Sequence, residues 1–222
     1  MYRAEGRSAL RASRSAMSAV LTLGFAIAFL CGCGGKIPPT RYYTLKFPAL
    51  APAGDPKTSA VLEIEPFRAA ENLRDDRVLY YESPTQFSYY EYHRWSPDPA
   101  TLFAEMMERH LHEMALFAHV RAAPTHEPAD YLLMGRLLNF EELDYEPGGK
   151  VRVAVQLRLV RATDHKTVWS DRRQVERSIG EHGVDGVVNA LSAASDQLLS
   201  EALPGLGAEV EREFKENAQK SK

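Results

Sequence analysis

The sequence predicts a single α/β domain, a mixed β-sheet with an antiparallel meander covered by two main helices. Three patterns carry that reading. In residues 151–159, Val151, Val153, Val155, Leu157 and Leu159 alternate with Arg152, Ala154, Gln156 and Arg158, the period of two of a strand buried on one face. Phe103, Met106, Met107, His110, Met114 and Phe117 recur at steps of three and four, which gives a helix one apolar face. Val184, Val187, Val188, Leu191, Ala194, Leu198 and Ala202 form a second such stripe. At 45% hydrophobic and 26% charged residues, the chain has the composition of a globular protein rather than a collagenous or disordered one.

Taken in order, the chain opens on Arg3, Arg7, Arg11 and Arg14, runs through the apolar AVLTLGFAIAFL, and reaches small residues around Cys31 and Cys33. That is the order of an export signal. Its apolar core is shorter than the ~20 residues of a bilayer-crossing helix. A disulfide across one intervening residue is strained, and a lone C-x-C supplies two of the ~4 ligands of a structural zinc. A lipoprotein signal instead requires an aliphatic residue three before the modified cysteine and a small one immediately before it. Leu30, Cys31, Gly32 and Cys33 meet that requirement for Cys33, whereas Leu30 occupies the small-residue position before Cys31. The expectation is a signal peptide over residues 1–32, cleaved between Gly32 and Cys33, with Cys33 consumed in a thioether. Each buried methylene of an acyl chain contributes ~0.8 kcal/mol, so the three chains of a bacterial lipoprotein, palmitate among them, hold firmly. Gly34, where an Asp would signal retention at the inner membrane, directs the expectation to the inner leaflet of the outer membrane.

Residues 33–41 form a Gly/Pro spacer, and the domain proper is expected over 42–203. RYYTLKF begins a strand. After a loop rich in proline and small residues comes AVLEIEPF, whose Pro66 ends the strand or places it at an edge. RVLYYE and QFSYYEYHRW flank the turn SPT as a hairpin. Asp98 as N-cap and Pro99 at the first helical position open the first helix. ADYLLMGRLLNFEELDYE, KVRVAVQLRLVRA and KTVWSDRRQVER are joined by the short turns PGG and TDH as the meander. The second helix is expected to stop at Pro204 and Gly205, leaving 204–222 as a charged tail with a weaker helix on Leu206, Val210 and Phe214.

The formal net charge is −3. The leader is basic, so the remainder carries about −6, a poor phosphate binder that excludes nucleic acid as a partner. Arg172 and Arg173 read as the solvated face of a strand. His110 and His112 point away from each other on a helix, and His93, His119, His126, His165 and His182 are scattered without metal-ligand spacing. No G-x-S-x-G elbow or phosphate loop is present. We therefore expect no catalytic residues, metal or cofactor, and no enzyme. The aromatic density of Phe87, Tyr89, Tyr90, Tyr92 and Trp95 falls on both faces of one strand. Either the strand is buried on both faces, or some rings form a contact surface for a protein or lipid.

Taken together, the lipobox, RYYTL shortly after it, HRWSPDP opening a helix, and ADYLLMGRLLNFE before an alternating valine strand resemble the ABC-type transport auxiliary lipoprotein family, of the paraquat-inducible protein C type. The resemblance runs from about Cys33 to near Leu203 and leaves residues 206–222 unmatched. It implies an accessory lipoprotein that docks a periplasm-spanning, mammalian-cell-entry (MCE) type substrate-binding protein, and through it an ABC permease and ATPase, with a phospholipid or other hydrophobic cargo. It also allows a homo-oligomeric ring. A periplasmic lipoprotein that binds lipid or lipopolysaccharide directly, as a carrier or assembly factor, is the alternative. An exported enzyme acting on the envelope is a third reading.

Overall fold

The computed structural model describes residues 37–47 and 54–220; the leader, Cys31 and Cys33 lie outside them. In chain order these form β1 (Arg41–Tyr43), β2 (Val61–Ile64), β3 (Arg68–Ala69), a 3-10 turn (Glu71–Leu73), β4 (Arg77–Ser83), β5 (Gln86–Trp95), α1 (Pro99–Glu113), β6 (His119–Ala122), β7 (Tyr131–Leu143), β8 (Lys150–Arg161), β9 (Thr167–Ser178) and α2 (Val184–Lys220).

All the strands belong to one mixed sheet, and β7 is its axis. One edge of β7 pairs antiparallel with β8 along its length, and β9 adds beyond β8 to complete the expected meander. The other edge is shared by three short parallel partners: β2 at Tyr131–Leu133, β3 at Arg136–Leu137 and β4 at Glu142–Leu143. Thirteen residues at ~3.3 Å each make β7 long enough for this division. The sheet therefore has two arms on that side, β6 extending β2, and β5 then β1 extending β4.

Both helical stripes face the core, although α1 ends at Glu113, so that Met114 and Phe117 of its expected face lie beyond the helix. Phe103, Met106 and Met107 of α1 are fully buried, and so are Leu191, Ala194 and Leu198 of α2, against Val151, Val153, Val155, Leu157 and Leu159 of β8. Asp98 caps α1 as expected, accepting from the amides of Ala100 and Thr101 at 3.0 and 3.1 Å. The register of β7 on β8 slips between Leu137 and Asn139. This bulge switches the buried parity from Leu133 and Leu137 to Phe140, whose ring then meets Trp95 at 5.2 Å.

Some expectations are corrected, and two short strands are added. Only Arg41–Tyr43 of RYYTLKF pairs in the sheet. β2 ends before Pro66, the first of the two expected outcomes, and lies between β7 and β6. The short β3 and β6 carry too few residues for a period to show. Most consequentially, α2 does not stop at Pro204 but continues to Lys220. Leu203, Leu206 and Val210 are buried, and full burial of such side chains is worth ~1.5–3 kcal/mol each, against the ~3 kcal/mol that an interior proline costs a helix. Close packing past the proline depends on small residues: a Cβ on Gly205 would stand 3.2 Å from Trp169 Nε1, and one on Gly207 3.1 Å from Met114 Cε.

Candidate functional site

The aromatic rings expected on one strand are divided by the structure. Trp95 is 3% exposed and packed on Phe140, so it is a core residue and offers no contact surface. The other four lie in the β4–β5 hairpin, which projects from the β7 axis. Phe87 is 44% exposed, while Tyr89, Tyr90 and Tyr92 are half-buried. The strand is thus neither buried on both faces nor open on one.

Cross-strand register sorts the hairpin rings into two groups. Leu79 pairs with Tyr89, Tyr80 with Ser88 and Tyr81 with Phe87. On one face Phe87 contacts Tyr81 at 5.7 Å and Tyr89 edge-on at 5.8 Å, geometries that add to area burial. Arg77 lies 4.7 Å over the Tyr89 ring. It is clamped by Asp75 at 2.7 Å and Glu91 at 2.9 Å, and the guanidinium holds the Asp75 carboxyl down at about 2. Tyr89 donates to the Asn72 carbonyl at 2.9 Å. The result is a half-exposed patch centred on Phe87, with its rings held in place by hydrogen bonds and a cation.

On the opposite face Tyr80 and Tyr90 meet at 4.6 Å, and His93 approaches Tyr90 at 5.8 Å. Tyr43 Oη and His93 Nδ1 are 2.8 Å apart, and burial holds the imidazole below its usual value. Tyr90 donates to Glu142 Oε2 at 2.7 Å. Burial pushes the Glu142 carboxyl above the ordinary carboxylate range, and the Tyr90 hydrogen bond opposes it. Beside this pair lies an open groove of about 490 Å³, lined by Glu142, Asp144, Glu146 and the turn Gly180–Gly183. A second buried carboxylate, Glu141, is fully satisfied by Arg152 at 2.6 Å, Asn139 at 2.8 Å and the Phe140 amide at 2.9 Å, so it is a structural ion pair.

The histidines do not converge. His110 lies 3.0 Å from Asp196, and no group of three metal-ligating side chains occurs among the described residues. Among the same residues no helix is long and apolar enough to cross a membrane. Sequence reasoning missed Glu142 as the partner of Tyr90. The two residues are 52 positions apart, and no local signal connects them.

A mixed sheet with an antiparallel meander and two covering helices defines a class of single-domain α/β proteins with solved examples. A protein from Xanthomonas campestris, with a structure assigned to family DUF330, superposes with a TM-score of 0.67 at 18% identity, over 79% of this chain and 99% of that one. A second solved protein gives 0.59 at 15% identity, over 74% and 96%. No curated protein matches the chain closely enough to add a relative by sequence. The family model for the ABC-type transport auxiliary lipoprotein component matches residues 43–202, and the chain belongs to that family.

Proposed function

We propose that this chain is anchored through acylated Cys33 to the inner leaflet of the outer membrane, where it receives the MCE-type substrate-binding protein of an ABC system that moves lipid. Membership of the auxiliary lipoprotein family supplies the transport context. The observation that carries the docking reading is the Phe87 patch. A 44%-exposed phenylalanine at the end of a hairpin, with Tyr81 and Tyr89 locked beside it, is an apolar surface already ordered before any partner arrives. Rigid aromatic rings in a polar surround anchor protein interfaces because little side-chain entropy is lost on contact.

The two carboxylates that burial raises, Glu141 and Glu142, are each engaged by a donor from the same chain. Crosslinking and co-purification from membranes test the reading, comparing wild type with Cys33→Ala and Phe87→Ser. Capture of an MCE-type protein by wild type, lost in Phe87→Ser with folding intact, is the expected result. Retention of acyl label and membrane attachment by Cys33→Ala refutes the anchor, and capture of no transport component by the intact protein refutes the docking role.

A further inference from the structure

The sheet face away from the two helices gathers arginines that are far apart in sequence. Arg68 of β3 is the register partner of Arg136 of β7, Arg136 of Gln156 of β8, and Gln156 of Arg172 of β9. Register partners project to the same side of a sheet, so these residues form one row across four strands. Arg158, two residues along β8, stands beside it. All five side chains are exposed. Arg77, Arg94, Arg121, Arg152, Arg161 and Arg173 each hold a carboxylate. The three arginines of the row and Arg158 beside it form no ion pair among the described residues; Arg158 donates to Met134 Sδ at 3.2 Å. An open groove of about 400 Å³ follows the row from Arg68 to Gln156 and Arg158, short of Arg172, with Met134 and Pro66 among its lining and Glu65 as its one acid.

Like charges in register repel and destabilise a sheet. A row of this kind lowers the stability of the free domain, and an anionic occupant relieves the repulsion. The rest of the body is acidic, so an extended anionic surface repels its other faces and attracts this one, which fixes orientation as well as contact. Guanidinium groups offer paired donors that match phosphate oxygens. With strands ~4.8 Å apart, the row spans about 14 Å of an open face, suited to a surface of headgroups rather than one enclosed ligand. From Cys33 to Arg41 the chain reaches at most about 28 Å. A domain tethered within that distance docks with modest intrinsic affinity because its effective concentration is high.

We infer that the Arg68–Arg136–Arg172 row, with Arg158, seats the domain on anionic phospholipid headgroups of the leaflet that holds its anchor. This rests on acylation of Cys33. The acylated protein with Gln156→Cys, labelled with a polarity-sensitive fluorophore, is reconstituted in phosphatidylcholine vesicles with or without phosphatidylglycerol. The label is shielded from an aqueous quencher only on the phosphatidylglycerol vesicles, and is released by about 1 M salt, where the screening length falls to about 3 Å. Each Arg→Gln change in the row lowers the ratio of docked to undocked protein about fivefold, whereas Arg→Lys at the same positions retains docking and shows that charge rather than folding is responsible. Equal shielding on both vesicles, or indifference to Arg→Gln, overturns the inference. Protein that pellets with neither vesicle refutes the Cys33 anchor and the docking with it, whereas protein that pellets with both but shows no shielding refutes the row alone.

Discussion

Tyr90→Phe keeps the ring that packs on Tyr80 and removes a single oxygen, leaving Glu142 without the donor that now lies 2.7 Å away. Glu142 is 6% exposed, so water replaces that donor poorly. A hydrogen bond to a charged group contributes ~1.5–3 kcal/mol, and a loss of about 2 kcal/mol at neutral pH is expected. For a domain of this size that corresponds to a fall in Tm of about 4–8 °C. The pH dependence gives the sharper check. Burial first, with Asp144 adding to it, raises the folded pKa of Glu142 above its unfolded value. Its contribution to stability is therefore fully present below the unfolded value and is lost as pH rises through the folded one. Removing Tyr90 raises the folded pKa further, so the damage is greatest when Glu142 is ionised. It shrinks as the pH approaches the ordinary carboxylate range, near about 4.3. Urea unfolding of wild type, Tyr90→Phe, Glu142→Gln and the double variant at about pH 5 and about pH 8 measures this directly. An equal loss at both pH values refutes the reasoning, as does a loss from Tyr90→Phe that is undiminished in the Glu142→Gln background.

Two further substitutions probe the packing. Pro204 is exposed within the continuous helix α2, so Pro204→Ala removes no buried contact and is expected to raise the urea midpoint, by up to ~3 kcal/mol of stability; a decrease would show that the proline shapes the helix rather than interrupting it. A Cβ at Gly135 would stand 2.3 Å from the Phe67 ring, which packs on Phe103. Gly135→Ala is expected to cost ~1–3 kcal/mol by overpacking, with partial recovery in Gly135→Ala/Phe67→Leu measured by the same unfolding titration.

What was legible in the sequence was local. The alternation from Val151 to Leu159, the Asp98 cap with the first part of the α1 stripe, Phe103 to His110, and the α2 stripe from Val184 to Ala202 depend on neighbours within a few positions, and each reappears in the structure. The aromatic strand was visible for the same reason. Its division was not, because the burial of Trp95 follows from meeting Phe140 after a bulge in a strand 45 residues further on. The continuation of α2 beyond Pro204 was hidden likewise. Proline's penalty is local and readable, whereas the burial of Leu206 and Val210 that offsets it comes from the rest of the fold.

By itself, then, the sequence determined the larger elements and their order, the meander and the family resemblance, because backbone period and capping chemistry are written in consecutive residues. Only tertiary structure decided that β7 serves three parallel partners on one edge, that Glu142 lies under Tyr90, and that Arg68, Arg136 and Arg172 stand in one row. Register between distant strands is set by the joint packing of both faces, and a shift of one residue would turn each of these side chains to the opposite side of the sheet.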